Sequence, residues 1–292
     1  MDGRNECCSG RFIAIDGAIN VREFGGYKTC SNSTTRRGIV YRSGYLEDIT
    51  ERGKDELARL GVSVRFDLRS NEEKQSVSRI SRNRTRTDAG RGGDGDGDDD
   101  GGDDGLPPSI MMPLQQGKFS VLGQLQKYPD DDGQRTQRIA GHYLDMVTSP
   151  TGRTAMRALL LFILQNPGDK ILIHCTLGKD RTGVVFGLLL ALAGVPDEHV
   201  IRDFALSGPG LQPIRPRFVR YLRKLDSRFS DEQAELYADK VLTANPKCMA
   251  ILLRELRSRF GGVYEYVRDA CGLTETQIER LRQRLVEPGL DD

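Results

Sequence analysis

Apolar and polar positions alternate along this chain in a way that predicts short strands separated by amphipathic helices. Ile171, Leu172 and Ile173 form an uninterrupted apolar run, the pattern of a strand covered on both faces. A polar, glycine-bearing loop follows, and then a strongly apolar stretch at residues 184–192 that reads as a buried helix. Upstream, residues 38–43 (GIVYRS) and 62–70 (VSVRFDLRS) alternate as strands do. Between them a helix is expected from Asp48 or Thr50, either a good N-cap, to Leu60, where Gly61 stops it; Leu57 and Leu60 would face the core. Residues 137–147 place Ile139, Tyr143, Leu144 and Val147 at helical spacing, and a second helix at 151–165 ends in the Asn166, Pro167, Gly168 turn. Further helices are predicted at 197–207, 215–225, 245–260, 263–267 and 275–286, with Gly261 and Gly262 as a turn. In the helix at 215–225, Arg217, Arg220 and Lys224 share one face, and Phe218, Leu222 and Leu225 the other. The order helix, strand, loop, helix implies an α/β fold with a central, mostly parallel sheet flanked by helices.

The pattern fails at residues 78–106. A basic run with Arg79, Arg82, Arg84, Arg86 and Arg91 leads into a glycine and aspartate tract with seven aspartates between Asp94 and Asp104. Glycine and self-repelling charge cannot bury enough apolar surface to offset chain entropy, so a disordered insertion is expected. The tract lacks the closing glutamate of a calcium loop, so no metal site is assigned to it. A Pro-containing connector at 106–113 would rejoin the fold. Residues 1–17 and 288–292 read as tails, leaving one domain over 18–287.

Composition narrows the function classes. With 37% hydrophobic residues the chain can bury a substantial core, and its formal net charge of +1 gives no reason to expect a nucleic-acid partner. The six cysteines show no metal-ligand spacing, which suits a reduced, cytoplasmic protein; Cys7 and Cys8 lie in the N-terminal tail. No apolar run approaches the roughly 20 residues of a membrane helix, so no integral membrane segment is expected, whereas the basic face at 215–225 is compatible with peripheral membrane contact.

The candidate chemistry sits in ILIHCTLGKDRTGVV, residues 171–185, where five residues separate Cys175 from Arg181. A cysteine in a tight loop at a helix N-terminus lies where unpaired amides and the helix dipole favour an anion, and therefore a thiolate. Arg181 supplies a planar, two-pronged donor for phosphate oxygens, and Gly178 permits a backbone turn closed to other residues. The combination points to phosphate monoesters.

With these residues in hand, HCTLGKDRTG resembles the phosphate loop of the cysteine-dependent tyrosine phosphatases, and specifically the HCxxGKDRTG variant of an atypical protein tyrosine phosphatase family with bacterial and fungal members. Four other segments carry the same resemblance: NVREFGG at 20–26, in which Glu23 replaces the family's aspartate; Arg42, Ser43 and Gly44; FDLR at 66–69; and DFALS at 203–207. The resemblance implies a cysteine-phosphatase fold with a C-terminal helical lid region and no cofactor. It implies a hydrolase that cleaves phosphotyrosine, with phosphoserine, phosphothreonine and phosphoinositides as further substrates, through a phosphocysteine on Cys175. Thr176, Leu177, Gly178, Lys179, Thr182 and Gly183 would bind or shape the phosphate site, and Thr182 would assist thiolate departure. His174 and Asp67 would support the loop; Arg69 is read either with them or paired to Glu72 or Glu73. Two carboxylates are candidates for the general acid. The resemblance assigns that role to Asp180 inside the loop, and Asp130, in a polar Tyr-Pro-Asp string, is the alternative. Lys179 would add positive charge to the pocket, which suits phosphoinositides. A non-catalytic phosphate-binding module would normally lack Cys175 or Arg181, and a sulfurtransferase would not need the HC prefix, Gly178 and the RTG tripeptide together.

Overall fold

The computed structural model describes residues 10–74, 104–115, 132–226 and 228–289. A five-stranded sheet lies at its centre, built from β1 (Arg22–Glu23), β3 (Val40–Ser43), β4 (Val64–Asp67), β5 (Ser109–Met111) and β6 (Ile171–His174) in the order β1-β3-β6-β4-β5. Strands β3, β6, β4 and β5 run parallel, and β1 is an antiparallel edge. The strand expected from Ile171, Leu172 and Ile173 is thus the central one. Its side chains alternate as a two-sided strand requires. Ile171 and Ile173 enter the larger core, while Leu172 enters a second cluster with Tyr41, Leu57 and Val62 on the opposite face.

Helix α1 (Glu51–Leu60) covers the Leu172 face; Thr50 caps it by accepting from the Gly53 amide, and Gly61 ends it in the left-handed region at φ 74°. Against the other face pack α2 (Asp132–Thr148), α3 (Pro150–Gln165) and α4 (Asp180–Leu192). Val184, Val185, Phe186, Leu188, Leu189 and Leu190 are all essentially inaccessible, so α4 is apolar around its whole circumference and runs through the core. Then come α5 (Asp197–Ala205), α6 (Ser207–Leu211), α7 (Arg215–Leu225), α8 (Asp231–Leu242), α9 (Pro246–Phe260) and α10 (Glu275–Leu285). Helices α7 and α8 form a hairpin with a small core of their own around Val219, Leu222, Ala234 and Ala238. Within it Leu222 is buried as expected, but Leu225 is 39% exposed.

Helix α8 occupies residues for which no element is predicted, and two further segments differ from the sequence reading. The connector at 106–113 contains β5, which extends the sheet beside β4. Its start is pinned by Arg65, which pairs with Asp104 at 2.7 Å and donates to the Pro107 carbonyl. At the C-terminus α10 stops at Leu285, and β7 (Val286–Pro288) pairs antiparallel with β2 (Ser33–Thr35). Cys7, Cys8, Asp130 and the insertion up to residue 103 lie outside the described residues.

Candidate active site

In the sheet register Ser43, His174 and Asp67 stand side by side at the C-terminal ends of β3, β6 and β4. Ligands of open α/β sheets collect at this edge. Here β6 ends, and residues 175–179 turn into the first residue of α4, Asp180.

Gly178 makes the turn. Its φ is +63°, and a Cβ there would lie 2.3 Å from the Ser43 carbonyl oxygen, so any side chain would collide with the end of β3. The loop carbonyls are held from outside: Thr176 O accepts from the Tyr45 amide, Leu177 O from Asn20, and Gly178 O from both Asn20 and Arg42. The amides of residues 176–179 have no acceptor among the described residues. With the N-terminus of α4 behind them they form a cradle for an anion. Cys175 sits at its base, 2% exposed.

Arg181, in the first turn of α4, donates in parallel to Glu73: NH1 to Oε2 at 2.5 Å and NH2 to Oε1 at 2.6 Å. Burial pulls the guanidinium down, but the Glu73 hydrogen bonds and the neighbouring Cys175 and Asp180 outweigh it and hold Arg181 above its ordinary value. The Thr176 hydroxyl donates to the same carboxylate. Glu73 thereby orients both the arginine and the residue following the cysteine. Nothing in its sequence context singles it out, because it follows β4 in an unremarkable polar run.

Around this centre the structure sorts the expected residues. Asp180 is 37% exposed, accepts a hydrogen bond from the Tyr143 hydroxyl through Oδ1, and lies 3.8 Å from Lys179 Nζ through Oδ2. Tyr143, read from the pattern only as a core residue of a helix, therefore also reaches the site. Lys179 is buried and donates to the Val241 and Thr243 carbonyls at the end of α8. Its donors are turned toward backbone, while its charge stays beside the loop at Asp180.

The Thr182 hydroxyl is buried with no hydrogen-bond partner among the described residues, the Cys175 sulfur included. A Cβ on Gly183 would press on the Phe204 ring at 2.9 Å. His174 supports the loop through its backbone, its carbonyl accepting from the Leu68 amide. Neither of its ring nitrogens has a hydrogen-bond partner among the described residues, Nε2 lying 4.0 Å from Asp67 Oδ2. Burial pushes the imidazole down to about 4, against a smaller upward pull from Asp67, so the ring is neutral.

Asp67 and Arg69 form a buried pair, with Arg69 NH2 to Asp67 Oδ2 at 2.7 Å. Burial raises the Asp67 carboxyl, but the hydrogen bonds and the charge of Arg69 bring it below its usual range. The second partner of Arg69 is Glu47 at 2.7 Å; the alternative pairing with Glu72 or Glu73 is corrected, since Glu73 belongs to Arg181. Glu23, at the family's aspartate position, accepts from the Gly38 amide and from Arg37.

A buried cysteine at the base of an amide cradle, an oriented arginine at the head of the next helix and a mostly parallel sheet beneath are the arrangement expected of a cysteine-dependent phosphatase. Residues 13–287 match the profile of the tyrosine phosphatase family, and the chain belongs to that family. It is similar to the tyrosine-protein phosphatase of Nostoc commune, with 26% identity over 272 residues that cover 89% of this chain and 78% of the relative. It is also similar to the triple specificity protein phosphatase PtpB of Mycobacterium tuberculosis, with 27% identity over 280 residues that cover 92% of this chain and 96% of the relative. The protein is a phosphatase, a hydrolase of phosphate monoesters. No helix among the described residues is long and apolar enough to cross a membrane.

Proposed function

We propose that Cys175 attacks the phosphorus of a phosphorylated protein side chain. The Sγ–P bond forms as the P–O bond to the side-chain oxygen breaks, and Asp180 delivers its proton to that leaving oxygen. Arg181 and the amides of residues 176–181 hold the equatorial oxygens of the transferring group. Water then attacks the phosphocysteine, Asp180 takes its proton, and the thiolate leaves with inorganic phosphate. The observation that carries this reading is the shared geometry of Cys175 and Arg181: one sits at the base of the amide cradle, and the other is oriented by Glu73 on the next helix turn.

Phosphotyrosine is the preferred substrate, with phosphoserine and phosphothreonine as further ones; the triple specificity named for the mycobacterial relative supports that breadth. A phosphoinositide is the alternative substrate, and Lys179, which donates to the Val241 and Thr243 carbonyls with its ammonium 3.8 Å from Asp180, keeps a positive charge beside the loop for either. We place the enzyme in the cytoplasm, with residues 18–287 as one catalytic domain. A panel of phosphopeptides and phosphoinositides tests the substrate assignment; faster turnover of the lipids would reverse it. For the mechanism, Cys175→Ser should abolish turnover while still binding substrate. Asp180→Asn should remove the basic limb of the pH-rate profile, and if Asp130→Asn alone removes it, Asp130 is the acid.

A further inference from the structure

Behind the phosphate loop, on the side away from Glu73, the fold buries an unusual group of charges. Arg22 and Arg42 are both fully buried, and both bind the one buried carboxylate of Asp203: Arg42 NH1 to Oδ2 at 2.8 Å, and Arg22 Nε to Oδ1 at 3.4 Å. The Tyr27 hydroxyl adds a bond to Oδ1 at 2.8 Å, and the Ser207 hydroxyl accepts from both guanidinium groups. Two cations on one anion leave a surplus positive charge out of water, an arrangement that is expensive unless something beyond the cluster answers it. Burial and the neighbouring Arg22 push Arg42 down to about 9, while Asp203 and the nearby Cys175 pull it the other way.

The cluster reaches the loop by two donors. Arg42 NH2 donates to Gly178 O at 2.6 Å, and Asn20 Nδ2 donates to Gly178 O at 3.0 Å and to Leu177 O at 3.2 Å. Asn20 is itself locked: its Oδ1 accepts from Arg22 NH1, and its backbone sits at φ 55°, a region that asparagine and glycine tolerate better than other residues. A peptide plane whose carbonyl is held outward presents the following amide inward. Fixing Leu177 O and Gly178 O therefore aims the amides of Gly178 and Lys179 at the place where phosphate oxygens belong.

Resting on the reading of Cys175 and Arg181 as the phosphate site, we propose that Asn20 and Arg42 are positioning residues for phosphoryl transfer. They hold the loop carbonyls outward, and Asp203 fixes both arginines. This gives a physical role to three segments far apart in sequence. The asparagine of NVREFGG and the arginine of RSG meet on one loop, with the aspartate and serine of DFALS holding the arginines behind them.

The test compares Asn20→Asp with Asn20→Gly. Both tolerate the backbone conformation. Aspartate keeps the acceptor for Arg22 and the shape of the side chain, but it turns the donor aimed at the loop into an acceptor and cancels the surplus charge. A structural role predicts that Asn20→Asp, which gains an ion pair, keeps Tm and behaves like the parent, and that Asn20→Gly loses Tm. The positioning role predicts the reverse order for function. Asn20→Asp should keep Tm within a few degrees while inorganic phosphate binding, measured by calorimetry in the Cys175→Ser protein, weakens at least about tenfold. In the Cys175-containing enzyme kcat should fall by a similar factor, and Asn20→Gly should show a smaller loss of both. Phosphate affinity and kcat within about twofold of the parent in both variants would overturn the proposal, as would losses that only follow Tm. If Asn20→Asp does not fold, Asn20→Gly decides alone by the same comparison. A Cys175→Ser protein that still turns over substrate would instead defeat the reading of the site.

Discussion

His174 shows how a single side chain beside Cys175 is controlled by burial. Its imidazole has no hydrogen-bond partner for either nitrogen among the described residues, and burial holds it neutral with its pKa pushed from 6.5 down to about 4. The unfolded chain binds a proton on this residue below about pH 6.5, whereas the folded chain resists doing so until about pH 4. Stability from this group is therefore complete above the unfolded value and is lost as pH falls between those limits, to the extent of about 3 kcal/mol. Asp67 contributes in the same direction, but its window opens only below the ordinary carboxylate range. Urea unfolding midpoints measured from pH 7 to pH 4 should fall steadily in the parent, and His174→Gln should flatten that slope. An unchanged slope in the variant would assign the acid sensitivity to other groups. The sequence identified His174 as a loop neighbour; that it acts as a neutral filler and not as a hydrogen-bonding residue depends on burial, which no local pattern encodes.

Among the elements, those whose signals are local were the most legible. Thr50 and Gly61 bracket α1 because a cap hydroxyl and a left-handed glycine act within one turn of their own helix. The strand β6, the loop and α4 were legible for a similar reason, since the apolar run, Gly178 and the buried helix are contiguous. What escaped notice requires partners distant in the chain. Strand β5 has three residues, two of them exposed, and exists because β4 offers it an edge. Helix α8 is an exception, since the capping box of Ser230 and Gln233 that starts it is a local signal. Glu73 and Tyr143 were legible as residues but not as neighbours of Arg181 and Asp180. The glycine at the centre of the loop gives the sharpest test at this scale. Gly178→Ala would force a side chain into the left-handed region at a cost of about 1–2 kcal/mol and into the Ser43 carbonyl, so the loop must shift. Turnover should fall by about a hundredfold or more while circular dichroism stays native. A variant retaining most of its activity would mean that the loop can be built another way.

At the scale of the whole molecule, the cradle depends on strand ends that the chain's own termini help to secure. The N-terminal segment supplies Asn20 and Arg22, and residues 33–35 just beyond it pair with 286–288 near the other end. Arg36 reinforces the join, with its amide donating to Leu285 O at 2.8 Å and its guanidinium to Arg284 O at 2.9 Å and Val286 O at 2.6 Å. Thr35 is fully buried between the two parts and donates to the Phe24 carbonyl. Pairing between β2 and β7 was not visible in the sequence, because three-residue strands carry too little periodicity to register and their partners lie some two hundred and fifty positions apart, as the separation of Arg36 and Val286 shows. Removing residues 286–292 would break the β2–β7 ladder and one of the Arg36 bonds, each net bond contributing about 1 kcal/mol. Stability should drop by about 2–4 kcal/mol, which for a domain of this size lowers Tm by roughly 4–16 °C. Differential scanning calorimetry of the truncated and full chains at one pH checks this. A Tm within about a degree of the parent would show that the C-terminal strand is carried by the fold and not a support of it.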